Sequence, residues 1–256
     1  MTFLKYLPVI ALATTLNVGC GGGGGGSTAS PNGIYIGNIT GGEPSFNGIE
    51  EKGIIYNGRF MTLSNQANGI SQLFDASLTI TNTSLSGSGF RYDSSSLRNS
   101  IGYDGTFIEK QSTAINFIAT GSNLNNFPAG AFNLTYSSSI LAKGADTSRL
   151  QGSWSGIFDS GFGSIMDLNF DTNGSITSGS DQAPLDCTFT GNITPADSSI
   201  NVYNASITSS GGSQCTMPAG TYTGLAWTEG DTDGTLVLMI ANGTLKGGRA
   251  VILTKN

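Results

Sequence analysis

The sequence predicts an all-β protein built as two tandem small antiparallel β-barrel (or sandwich) domains. Three observations carry that expectation: apolar and polar residues alternate over short stretches, Asn-Gly and Asp-Gly pairs punctuate the chain, and blocks of the first half return in the second. Alternation with period two marks a half-buried strand. Asn-Gly and Asp-Gly supply the positive φ angles of tight hairpins. Beyond the N-terminal segment, no ten-residue window shows a capped helical stripe.

Composition narrows function before any motif is read. The chain has 256 residues with 38 glycines, no histidine and a net charge of −6. An acidic chain without basic clusters cannot neutralise phosphates, so no nucleic-acid partner is expected. Without histidine there is no Ser-His or Cys-His catalysis and no imidazole metal site.

Residues 1–19 read as a signal peptide. A short start carrying Lys5 precedes the mostly apolar run from Tyr6 to Leu16, which is too short to span a bilayer. Residues 20–32 follow as Cys20 and a flexible tether, with six consecutive glycines from Gly21 to Gly26. Gly19-Cys20 after an apolar segment resembles the lipobox of bacterial lipoproteins, although Asn17 stands where that family prefers leucine. The resemblance implies a lipid anchor on Cys20. Gly21, rather than aspartate, after that cysteine implies an outer-membrane lipoprotein, periplasmic or surface-facing. The alternative is a free exported protein cut after Ala13, since Ala11-Leu12-Ala13 is itself an A-x-A site.

The repeat organises the remainder. Gly33-Ile34-Tyr35-Ile36-Gly37 returns as Gly152-Ser153-Trp154-Ser155-Gly156, and Pro128-Ala129-Gly130-Ala131-Phe132 as Pro218-Ala219-Gly220-Thr221-Tyr222. Ala76, Leu78 and Ile80 align with Met166, Leu168 and Phe170, Tyr103 with Phe189, and Phe117 with Tyr203. The offsets fall along the chain, which predicts an additional hairpin in the first copy around Gly53 to Asn68. Residues 33–146 are therefore expected to form domain 1 with that hairpin, and residues 147–256 domain 2. The two are expected to pack independently, joined through the polar stretch 143–149. Hairpin turns are expected at Asn68-Gly69, Asp104-Gly105, Asn173-Gly174, Asp233-Gly234 and Asn242-Gly243. Glycine within strands, as at Gly37, Gly156 and Gly224, suits the bends of a small closed barrel.

Few residues suggest chemistry. Cys187 and Cys215 flank the strand around Tyr203, and two cysteines of an exported protein are expected to pair, with two free thiols or a metal pair as the alternatives. Asp171 to Gly174 and Asp231 to Gly234 open like calcium loops but lack the later bidentate acid, so they read as turns. Glu43, Glu50 and Glu51 are the acids that could form a hydrolytic carboxylate pair, though nothing fixes their separation. The repeated aromatics Tyr35, Trp154, Phe132, Tyr222, Phe117 and Tyr203 read as core. No catalytic residue, metal or cofactor is expected, and the chain reads as no enzyme.

Tandem β lobes behind a lipid-tethered glycine run resemble the Gram-negative surface lipoproteins of the transferrin-binding and factor H-binding type. That likeness implies eight-stranded barrel lobes that bind a host protein. The Gly152-Ser153-Trp154 opening is also similar to the G-x-W of lipocalins. The expected partners are the membrane, through the anchor, and an envelope protein, host protein or small ligand. A purely structural envelope component is the alternative.

Overall fold

A computed structural model describes residues 30–41, 47–66, 69–93, 98–108, 112–119, 129–159, 164–181, 186–210, 212, 215, 217–244 and 247–256. The expected signal peptide, Cys20 and the glycine run lie outside the described residues. The fold is two antiparallel barrels. The first comprises β1 (Gly33–Gly41), β2 (Glu50–Tyr56), β3 (Arg59–Gln66), β4 (Gly69–Thr81), β5 (Ser84–Asp93), β6 (Arg98–Ile108), β7 (Ser112–Ala119) and β8 (Gly130–Tyr136). These strands pair in chain order, and β1 closes on β8 through Tyr35↔Tyr136 to Gly41↔Gly130.

A single helical turn, α1 (Ser138–Leu141), and a 3₁₀ turn at Thr147–Arg149 lead to the second barrel. It comprises β9 (Gly152–Asp159), β10 (Ser164–Phe170), β11 (Ile176–Asp181), β12 (Phe189–Asp197), β13 (Val202–Ser209), β14 (Gly220–Glu229), β15 (Thr235–Asn242) and β16 (Gly247–Lys255). Here β9 pairs with β16, and the two edges of the sheet, β11 and β12, meet through the bridges Ser175↔Asn192 and Ser180↔Thr188. Among the described residues no helix is long and apolar enough to cross a membrane.

The alternating pattern produces the interiors. In barrel one Tyr35, Ile55, Phe60, Phe74 and Phe132 point inward, with Phe60 and Phe74 packing edge-on against Phe132 at 5.6 and 4.9 Å between centroids. In barrel two Trp154, Leu168, Tyr203, Tyr222, Leu238 and Leu253 fill the corresponding space. Tyr35, Trp154, Phe132, Tyr222 and Tyr203 are thus core, each at most 1% exposed. Edge-on contacts of this kind add to the burial of the rings.

Several expectations need correction. Both barrels have eight strands in chain order, so the hairpin β2–β3 is not additional: it holds the place that β10–β11 holds in barrel two. Gly33 and Gly152 do open equivalent strands. By contrast, Ala76 lies in the fourth strand of its barrel and Met166 in the second, and Phe132 lies in the eighth but Tyr222 in the sixth. Every strand shares the same alternation, so a short block matches any strand and carries no address within the barrel. Asp104-Gly105 is no turn: it lies inside β6, paired with Ser86 and Leu85 on one side and with Asn116 and Ile115 on the other. A turn falls instead at Asn57-Gly58, whose φ angles are 48° and 75°.

The barrels are not independent. A third apolar core lies between them, built from outward-facing Ile34, Ile54, Met61, Leu63 and Leu73 of barrel one and Leu225, Trp227, Val237 and Met239 of barrel two. Across the same seam Lys52 and Glu229 form an ion pair at 2.6 Å, with side chains only 13% and 15% exposed. Glu229 also accepts the Trp227 indole N–H at 2.8 Å. The polar stretch 143–149 is no loose junction either. Ala145 and Leu150 enter the core of barrel two, and Asp233 Oδ1 and Oδ2 receive Lys143 and Arg149 at 3.2 and 3.6 Å. Asn201, fully buried, donates to Ile140 O and Thr228 O, so the chain joins barrel two directly after β8.

Candidate functional site

Cys187 and Cys215 are joined by a disulfide, with Cα atoms 5.0 Å apart. Cys187 sits at 1% exposure against the core of barrel two, so the bond is a staple and not an exposed redox pair. Asp171 closes the β10–β11 turn, its Oδ1 accepting the Asn173 and Ser175 amides at 2.8 Å each. Asp233 sits at a positive φ of 51° in the β14–β15 turn and is engaged by Lys143 and Thr228. Both carboxylates are engaged by groups of the protein itself. Among the described residues no three His, Cys, Asp or Glu gather as a metal site.

The candidate carboxylates separate. Glu43 lies outside the described residues. Glu50 is exposed while Glu51, its neighbour on β2, is fully buried, since adjacent strand residues face opposite sides of a sheet. Glu51 points into barrel one with Gly53 and Ile55. Its Oε2 accepts the Thr62 hydroxyl at 2.8 Å and its Oε1 accepts the Ser64 hydroxyl. Burial outweighs these two hydrogen bonds and raises the carboxyl pKa to about 7. Gln72 and Arg91, at 3% and 6% exposure, add further polar groups to the same interior. The pattern of β2 contains the signal for Glu51, because it lies in phase with Ile55 on an alternating strand.

On the outer surface the seam opens into a groove of about 590 Å³. Arg59 of β3 and Asp75 of β4 are diagonal neighbours on paired strands, Arg59 being in register with Ser77, and form a two-pronged ion pair at 2.8 and 2.9 Å. Arg59 Nη2 also donates to Thr223 O of barrel two at 3.0 Å, so both barrels build the wall. Asn57, Ser77, Leu78, Ser88 and Phe90 are among the further residues that barrel one supplies to the lining. Arg59 and Asp75 largely neutralise each other, which leaves a nearly uncharged concavity of mixed polar and apolar lining with one aromatic wall. Pairing between two side chains that the sequence separates by 16 positions rests on strand register, which composition does not reveal. No known family model matches the chain, and no curated protein matches it significantly.

Proposed function

We propose that this protein is an exported lipoprotein, anchored through Cys20, whose double barrel is a non-catalytic recognition body in the bacterial cell envelope. Its address is the outer membrane, and its partner is an envelope protein, a host protein or a small ligand. The observation that supports recognition from outside is that the described side chains of both interiors are buried and mostly apolar, with one polar row at Glu51, together with the seam core. A filled barrel offers its outer surface, and the groove at Arg59 and Asp75 is the concavity there that both barrels share.

Two measurements test the proposal. Replacing Cys20 by serine should release the protein from membranes; unchanged membrane binding and mobility would place the anchor elsewhere. Ser88 is exposed at the groove, so Ser88→Trp fills it from a solvent-facing position. A partner captured from the native envelope by the wild-type protein should be lost with Ser88→Trp. Equal capture by both would remove the groove from the proposal.

A further inference from the structure

We propose that the interior of barrel one holds one hard monovalent cation, of the sodium type, between Glu51, Ser64, Thr62 and Gln72. The site is a row across three adjacent strands: Glu51 of β2 pairs with Ser64 of β3, and Ser64 pairs with Gln72 of β4. Register partners share a face of the sheet, and here that face is the inner one, because Ile55, Phe60 and Phe74 lie in phase with them in the core. Strands lie about 4.8 Å apart, so Glu51 and Gln72 are separated by two such steps with the short Ser64 between them. Two long oxygen-bearing side chains therefore flank a short one, and the inward curvature of a barrel turns their ends toward each other above Ser64.

Two independent observations point to a cation. Glu51 is fully buried, and among the described residues no lysine or arginine forms an ion pair with it; its hydrogen-bond partners are the Thr62 and Ser64 hydroxyls. A carboxylate without a counter-charge is costly in such a place. Gln72 Oε1, in the same row, is buried and accepts no hydrogen bond. A cation satisfies both groups at once. Arg91 also faces this interior, in register with Phe74, but it has other interactions and does not contribute to the Glu51 shift.

The donor set selects the ion. Carboxylate, hydroxyl and amide oxygens suit hard cations, and there is no sulfur or imidazole for a softer metal. With a single carboxylate, a monovalent ion gives a neutral site, whereas a divalent ion would leave net positive charge buried.

Thermal unfolding decides the matter, with sodium chloride exchanged for choline chloride at constant ionic strength and pH 8.5, where protons no longer compete for Glu51. Above the dissociation constant, each tenfold rise in sodium should multiply the folding equilibrium constant by about ten and raise the Tm by about 3–6 °C. Glu51→Gln should abolish that dependence. Gln72→Met, which removes the oxygen at nearly constant volume, should leave the Tm in choline unchanged or higher and flatten the sodium response; this variant keeps the test alive if Glu51→Gln fails to fold. A Tm independent of sodium, or a response preserved in either variant, overturns the site. A response to calcium chloride with none to sodium overturns its assignment to a monovalent ion.

Discussion

Gly224 has no room for a methyl group: a Cβ there would lie 1.7 Å from Met239 O on the next strand. Gly37 faces Asn133 O in the same way at 1.8 Å. Strong curvature brings neighbouring backbones under these inward positions, so glycine is required sterically and not for its φ. Gly224→Ala should therefore cost at least about 2 kcal/mol, while Gly243→Ala, which meets nothing within 4 Å, should stay near zero; denaturant unfolding of the pair checks the contrast. These glycines were legible, because glycine within an alternating strand is itself a signal. The inward side of Glu51 was legible too, from its phase with Ile55, but its hydroxyl partners were not, since they come from pairing with β3. The Glu51 pKa rises from 4.5 to about 7 on folding. The folded state then holds the proton more tightly than the unfolded state. Its contribution is complete below pH 4.5 and is lost as pH rises through 7, roughly 3 kcal/mol in all. In choline buffers stability should fall over that window, and Glu51→Gln should flatten the profile; a stability that climbs with pH there would contradict the burial.

Three strands, β1, β9 and β14, begin with a shared device. Tyr35 OH donates to Pro31 O at 2.7 Å and Tyr222 OH to Pro218 O at 2.9 Å, while Trp154 Nε1 donates to Leu150 O at 2.6 Å. In each case an inward ring ties back to the carbonyl four residues earlier and fixes where the chain enters the barrel. Tyr222→Phe should cost about 1 kcal/mol by loss of that bond, measurable as a lowered denaturant midpoint with an unchanged slope. The blocks at Pro128 and Pro218 were visible in the sequence, but their ordinal place among the strands was not. The Cys187–Cys215 staple closes a separation of 28 residues between the approaches to β12 and β14. Chain entropy assigns such a loop about 3.5 kcal/mol, so reduction should lower the Tm on the order of 10 °C. An unchanged Tm after complete reduction would show that the segment is held by packing alone. β15 carries a different lesson. Leu236 to Ala241 is a continuous apolar run, the mark of a strand covered on both faces. Alternation elsewhere drew attention to one buried face per strand, and this run already indicated a second.

The second face is the seam, and it makes one folding unit of two barrels. Trp227 is fully buried there, with Lys52 and Glu229 paired beside it. Trp227→Ala should cost about 3–5 kcal/mol and lower a single transition common to both barrels. Calorimetry checks this, as does a Trp154→Phe protein whose remaining indole reports the seam; that fluorescence change should coincide with loss of circular dichroism. Two resolved transitions would show that the barrels unfold separately. Tandem barrels were legible from the recurring pattern, but their contact was not, because outward positions read as solvated until the partner surface is known. The same seam bears on biogenesis. Barrel one is completed with β8, at Tyr136, while most of barrel two is still to be made. Until barrel two covers them, Ile34, Ile54, Met61, Leu63 and Leu73 form a bare apolar flank. The nascent protein is then a client for a holdase chaperone, and a chain that stops at residue 136 should aggregate through that flank.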